Sequence, residues 1–308
     1  MDFVQFFWFP NALYRIVGYD FQQLPRANWR QALMKAFLIF TTISGICTRI
    51  YMLFQLRELI LSGDILNSFR LGVYISYAID SNVKFFVFLL NAKRLRVIYQ
   101  SLSNEYPMTS IEQKLYQVDK YSFKRARIMI VSYLTLEYLG SSLEAYEPSM
   151  DNSKADCEFL MEWIRKHQLM LDLCSELNEV FGTTLLFKLI SNCAVFCIIV
   201  VQLKLEGFGF GFLNFLSFFF VTVAQFFMVC QYGQKLITIS ENLALCAYKN
   251  RWYNGSQTYK TLLFNIIARA QKPARLTAKG FQPISLATFQ IVMTMTYRVF
   301  AVLQRALD

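Results

Sequence analysis

The sequence predicts an all-α membrane protein. Three observations carry that reading. Hydrophobic residues make up 55% of the 308 positions and charged residues only 17%, too little charge for a soluble surface. Six stretches approach the roughly 20 mostly apolar residues needed to cross a bilayer. Most of the 31 Lys and Arg lie between those stretches. The net charge of +10 therefore reads as a membrane orientation signal and not as a nucleic-acid partner.

In chain order, residues 1–34 form an N-terminal interfacial segment, with Phe6, Phe7, Trp8, Phe9 and Tyr14 as its aromatic face. Its acid at Asp2 and lack of a basic start exclude a signal peptide. Residues 35–155 carry three candidate spans. They are Ala36–Leu56, interrupted by Arg49; Leu71–Leu90, with Asp80 and Lys84; and Ile128–Leu143, with Glu137. Residues 156–187 place Phe159, Leu160, Trp163, Ile164, His167, Met170 and Leu171 at three- and four-residue steps, which predicts an amphipathic cytosolic helix. Residues 188–234 hold two spans, Leu189–Leu203 and the charge-free Gly207–Gln234. Residues 235–279 predict further cytosolic helices, broken near Trp252 and Asn254-Gly255. Residues 280–308 supply the last span, Gly280–Leu303, with Arg298 inside it.

Cytosolic loops are rich in Lys and Arg. Four precede the first span, two lie in 57–70, eight in 91–127 and eight in 235–279. Six single crossings starting from a cytosolic N-terminus leave 235–279 outside, against that bias. One further crossing repairs every loop, so a gap is expected near residues 140–155, where a span and its loop are absent.

Catalysis finds little support. His167 is the only histidine, and no cysteine forms a CxxC pair, so histidine-based triads and histidine-rich zinc sites are nearly excluded. Gly207–Gly211 lacks the lysine and acidic partner of a phosphate loop. No cofactor, metal site or catalytic residue is expected.

The C-terminal half carries a resemblance. Tyr232-Gly233-Gln234, Ser240, Ala247-Tyr248, Trp252, Gln271-Lys272-Pro273, Phe281, Ser285-Leu286, Phe289 and Thr296-Tyr297, together with the helix around His167–Leu177, resemble the insect odorant receptor family. The resemblance covers roughly residues 30–308 and is strongest at the C-terminus. It implies a seven-helix channel fold with a cytosolic anchor domain, here without its fourth span. It also implies a cytosolic N-terminus and an odorant-gated non-selective cation channel. Such channels work as heterotetramers with an odorant co-receptor in the plasma membrane of sensory neurons. Leu303 stands where gustatory receptors and the co-receptor carry Gln, which favours a ligand-specific subunit. A gustatory-type channel and a G-protein-coupled receptor are the alternatives; the basic loops oppose the second.

In this topology the outer halves of the spans line an apolar pocket for a small volatile. Its expected residues are Tyr74, Ser76, Tyr77, Tyr133, Leu136, Glu137, Asn192, Cys193, Phe196, Phe212, Phe215 and Phe219. Thr296, Val299, Phe300 and Gln304 are the expected pore and gate residues, with Phe300 as an apolar closure. Membrane lipid is a further partner.

Overall fold

The computed structural model describes residues 28–104, 127–205 and 209–307. The N-terminal interfacial segment up to residue 27, most of the basic loop 91–127 and residues 206–208 of the glycine run lie outside the described residues. So does the side chain of Gln304.

The described chain is helical, save one short hairpin. Its helices are α1 (Asn28–Leu61), α2 (Ile65–Leu90), α3 (Ala92–Asn104), α4 (Arg127–Ala145), α5 (Ser153–Leu205), α6 (Phe210–Lys249), α7 (Gln257–Ala270) and α8 (Leu286–Leu307). Strands β1 (Thr277–Ala278) and β2 (Gln282–Pro283) pair antiparallel ahead of α8. Lys279 and Gly280, both at positive φ, turn the chain between them. Among the described residues, α5 and α6 are each long and apolar enough to cross a membrane, as are α2 and α3 if that pair counts as one span. The predicted cytosolic helix 156–187 and span 189–203 prove to be one continuous helix, α5. The boundary at 234/235 likewise falls inside α6.

The helices sort into two compact units. The first takes Lys93–Val180 and Tyr232–Leu276, and so holds the start of α5 and the end of α6. Its core includes Leu139, Leu143, Leu160, Trp163, Met170, Leu243, Tyr259 and Leu263, all under 3% exposed. Here α4 is fastened by its own backbone. The indole of Trp163 donates to Leu139 O at 2.8 Å. The Asn250 amide donates to Leu143 O and Tyr146 O at 2.7 and 2.6 Å and accepts the Tyr259 hydroxyl at 2.9 Å. Asn250 thereby caps carbonyls that the end of a helix leaves without partners. Ser256 caps the start of α7, accepting from Tyr259 N at 3.3 Å.

Two expectations meet the structure here. The expected gap near 140–155 falls on a well-packed turn: Tyr146 stacks on Phe159 with centroids 3.9 Å apart. The Asp156 carboxylate accepts the Tyr146 hydroxyl at 2.7 Å and Ser149 N at 3.0 Å. Ile128–Leu143 lies in α4, which is not among the described helices long and apolar enough to cross a membrane. Along α4 and the turn after it, Glu137, Glu144 and Glu147 pair with Lys235, Lys249 and Arg251 at 3.6, 3.7 and 2.7 Å, their side chains one-third to two-thirds exposed. A row of exposed ion pairs belongs in water; in hydrocarbon each charge is costly. The apolar face of α4 is buried within this helical unit.

His167 lies 4% exposed in the same unit, its ring 5.0 Å from that of Trp163. Burial first, and the Arg269 charge second, lower its pKa from 6.5 to about 4. Above pH 6.5 the imidazole is neutral whether folded or unfolded. Between pH 6.5 and 4 only the unfolded chain takes the proton, so stability falls as pH falls. The loss expected by pH 4 is on the order of 3 kcal/mol. Thermal unfolding in detergent across that range should show it, and His167→Gln should flatten that part of the profile.

The second unit takes Leu13–Ala92, Phe181–Gln231 and Thr277–Asp308. It holds α1, α2, the end of α5, the start of α6, and α8. A Cβ at Gly182 would lie 3.2 Å from Lys279 N, so the hairpin before α8 seats directly on the α5 backbone.

Candidate functional site

Within the second unit, α2, α5 and α6 meet along one seam. Val73, Val195 and Ile199 form its dry base, with Tyr77, Phe218 and Phe219 packed against it. Polar pairs sit within this apolar packing. Ser76 and Ser191 hydroxyls are 3.2 Å apart, and those of Tyr77 and Thr222 are 3.0 Å apart. The Tyr77 ring leans on Phe218 with centroids 5.0 Å apart. Asp80 accepts from Lys84, one turn away on α2, and from Lys188 of α5 at 3.4 Å. Contacts 76 to 191 and 80 to 188 advance in opposite directions, so α2 and α5 run antiparallel here.

Aromatic packing closes the seam from α6. Phe196 is fully buried, with Phe219 and Phe226 at centroid distances of 6.0 and 6.1 Å. Phe226 and Phe227 then meet Phe289 of α8 at 5.7 and 5.4 Å. Phe215 is buried beneath the Arg70 guanidinium, 5.8 Å away. Nine of the twelve expected pocket residues thus gather in this unit: Tyr74, Ser76, Tyr77, Asn192, Cys193, Phe196, Phe212, Phe215 and Phe219. Cys193, Phe212 and Phe219 are half-buried, while Asn192 is buried. Tyr74 instead faces outward and lines a groove of about 600 Å³ between α1 and α2 with Tyr51, Phe54, Glu58, Arg70 and Leu71.

The remaining three belong to the first unit. Tyr133 donates to Tyr232 O at 2.6 Å, Leu136 is fully buried, and Glu137 pairs with Lys235. The sequence shows no local partner for Glu137; its partner lies nearly a hundred residues away.

From Ser285 through α8, the polar side chains divide into a buried and an exposed set. Ser285, Thr288 and Thr296 are buried within the chain, and the Thr296 hydroxyl donates to Val292 O at 2.9 Å. Gln290, Thr294, Arg298 and Val299 are exposed, and Phe300 is half-buried.

Sequence reasoning missed Lys188, taken only as the flank of a span, and the groove residues Tyr51, Phe54 and Arg70. One signal was available for Lys188. Thr184, Lys188 and Asn192 recur every four residues and so share one face of α5.

The sequence profile of the family described as 7tm Odorant receptor matches residues 19–297. The chain is 26% identical to odorant receptor 49a of Drosophila melanogaster, over 390 aligned positions taking in 100% of this chain and 98% of that one. It is 23% identical to odorant receptor 85f of the same fly, over 97% of this chain and 96% of the other. Its fold is similar to that of the insect olfactory receptor OR5 from Machilis hrabei, solved in complex with eugenol. The TM-score is 0.78 at 15% identity, covering 98% of this chain and 100% of that one. Since 390 positions align against 308 residues, about eighty positions of the first fly receptor have no counterpart here.

Proposed function

Because the chain belongs to the 7tm odorant receptor family, we propose that it is the odorant-sensing subunit of a ligand-gated, non-selective cation channel. In this reading it is a multi-pass protein of the sensory neuron's plasma membrane and pairs with co-receptor subunits in a heterotetramer. The α2–α5–α6 seam is the observation that carries it. Phe and Tyr faces with a few fixed hydroxyls suit a small volatile held by shape and one hydrogen bond. The half-buried Phe212 and Phe219 and the exposed Tyr74 offer contact area that the chain's own core leaves open.

In this reading α4 does not count as a crossing. With 128–143 removed from the count, five apolar runs remain. Starting from a cytosolic N-terminus, they place 57–70 and 204–206 outside, and 91–188 and 235–279 inside. All sixteen basic residues of the two rich loops then face the cytosol without an extra crossing. Cleavage of 235–279 by external protease in intact cells would refute this placement. It also counts against a G-protein-coupled receptor, which needs its N-terminus outside.

At the pore, Thr296, Val299, Phe300 and Gln304 are this subunit's proposed share, with Phe300 closing the path by dewetting. Currents from cells expressing this chain with the co-receptor, against an odorant panel, test both parts. Tyr77→Ala is expected to weaken odorant potency at least tenfold, with Tyr77→Phe much milder because the ring remains. Phe300→Ser is expected to give current without odorant. Unchanged potency and basal current at normal surface levels would remove these residues from pocket and gate.

A further inference from the structure

The second unit buries a cation that shares its one carboxylate with a second ammonium group. Lys188 is 8% exposed on the face of α5 that meets α2. Its ammonium lies 3.4 Å from Asp80 Oδ2, and the same oxygen receives the ammonium of Lys84. One carboxylate therefore serves two ammonium groups, which leaves a surplus of one positive charge. The Lys84 side chain is 46% exposed and reaches the edge of the bundle, where a long side chain extends toward water. That of Lys188 is 11% exposed and stays inside. Its other close neighbour is the Tyr77 ring, 5.9 Å away.

Two unpartnered groups able to donate flank this charge, and the one unpartnered acceptor beside it, Asp80 Oδ1, belongs to the carboxylate that already serves both ammonium groups. One turn before Lys188, Thr184 is 8% exposed and its hydroxyl has no hydrogen-bond partner. One turn after, Asn192 is 3% exposed and its amide nitrogen has none. Steps of four put all three on one helix face, and a lysine side chain leans toward the N-terminal turn, here toward Thr184. Buried polar groups are nearly always paired, so two unpartnered donors beside an under-compensated ammonium call for an acceptor. A water molecule satisfies a hydroxyl but leaves the charge. A negatively charged acceptor answers both.

We propose that Lys188 and Thr184 form a binding site for a monovalent anion in the α2–α5 seam, with Asp80 holding Lys84 aside. The chemistry admits a halide from solution or the carboxylate head of a small amphiphilic acid whose alkyl part lies along the apolar seam. The site is built from this chain alone.

Purified full-length chain in detergent provides the test. Its unfolding temperature is measured at constant ionic strength while gluconate is replaced by chloride, or by hexanoate, with hexanol as the uncharged control. Saturable stabilisation by hexanoate, absent with hexanol, is expected, and it identifies a carboxylate site. The same response to chloride alone assigns the site to a halide. Lys188→Met, which keeps the stem and removes the charge, should abolish the response, and Thr184→Val should weaken apparent affinity about tenfold. Lys84→Met frees the Asp80 carboxylate for Lys188 and removes the surplus charge, so it should weaken the response. The proposal is overturned if neither anion stabilises the chain, if hexanol acts equally, or if Lys188→Met responds like the parent. Should Lys188→Met fail to fold, an unchanged affinity in Thr184→Val overturns it equally.

Discussion

Asn250→Leu is expected to prevent accumulation of folded protein. The Asn250 amide donates to two carbonyls at the end of α4 and accepts the Tyr259 hydroxyl, all within a buried node. Leucine is similar in size but can neither donate nor accept. Three groups then stay buried without partners, at roughly 1–3 kcal/mol each. Their sum rivals the total stability of a typical domain, about 5–15 kcal/mol. Tyr259→Phe isolates one of the three and should cost only about 1–2 kcal/mol. Fluorescence-detected size exclusion and thermal unfolding of detergent extracts measure both. Near-parental yield and melting temperature for Asn250→Leu would show that the node is dispensable.

The second large effect concerns Asp80. Asp80→Leu strands Lys84 and Lys188 together with no carboxylate between them. Removing one member of a buried ion pair typically costs about 3–5 kcal/mol, because the partner's charge stays buried uncompensated. Lys188→Met should be much milder, since Asp80 keeps Lys84. The double substitution Asp80→Leu with Lys188→Met should recover most of the loss, because Lys84 reaches the edge of the bundle. A double-mutant cycle on melting temperature settles the point. Additive losses in the double variant would mean that Asp80 and Lys188 are energetically independent.

Much of this architecture is legible in the sequence because it is periodic or long. The three- and four-residue recurrence from Phe159 to Leu171 marks the start of α5, and the charge-free run ending at Gln234 marks α6. The segment Ile128–Leu143 is harder to read, for a physical reason. Apolar residues that face lipid and apolar residues that face a protein core look alike in composition. What separates them is the row of bases at Lys235, Lys249 and Arg251, roughly a hundred residues downstream. The pocket set divides for a similar reason. Tyr74 to Phe219 share a unit because α2, α5 and α6 pack together. Tyr133 to Glu137 were grouped with them on the premise that α4 spans. Lys188 was hidden because its partner, Asp80, is 108 residues away in sequence.

The water-facing placement of α4 bears on how such a chain can lose residues and still be made. During membrane insertion each crossing reverses the side on which the following segment emerges. Removing a single crossing would deliver every downstream loop to the wrong compartment, and the basic segment 235–279 would then oppose its own translocation. Removing two leaves the delivery of the rest unchanged. The shortfall of about eighty positions against the fly receptor is long enough for two crossings and the segment between them. In receptors of this build, viable internal shortening should therefore come in even numbers of crossings. A variant lacking one crossing should be retained and degraded where it is synthesised, while one lacking two can still reach the cell surface.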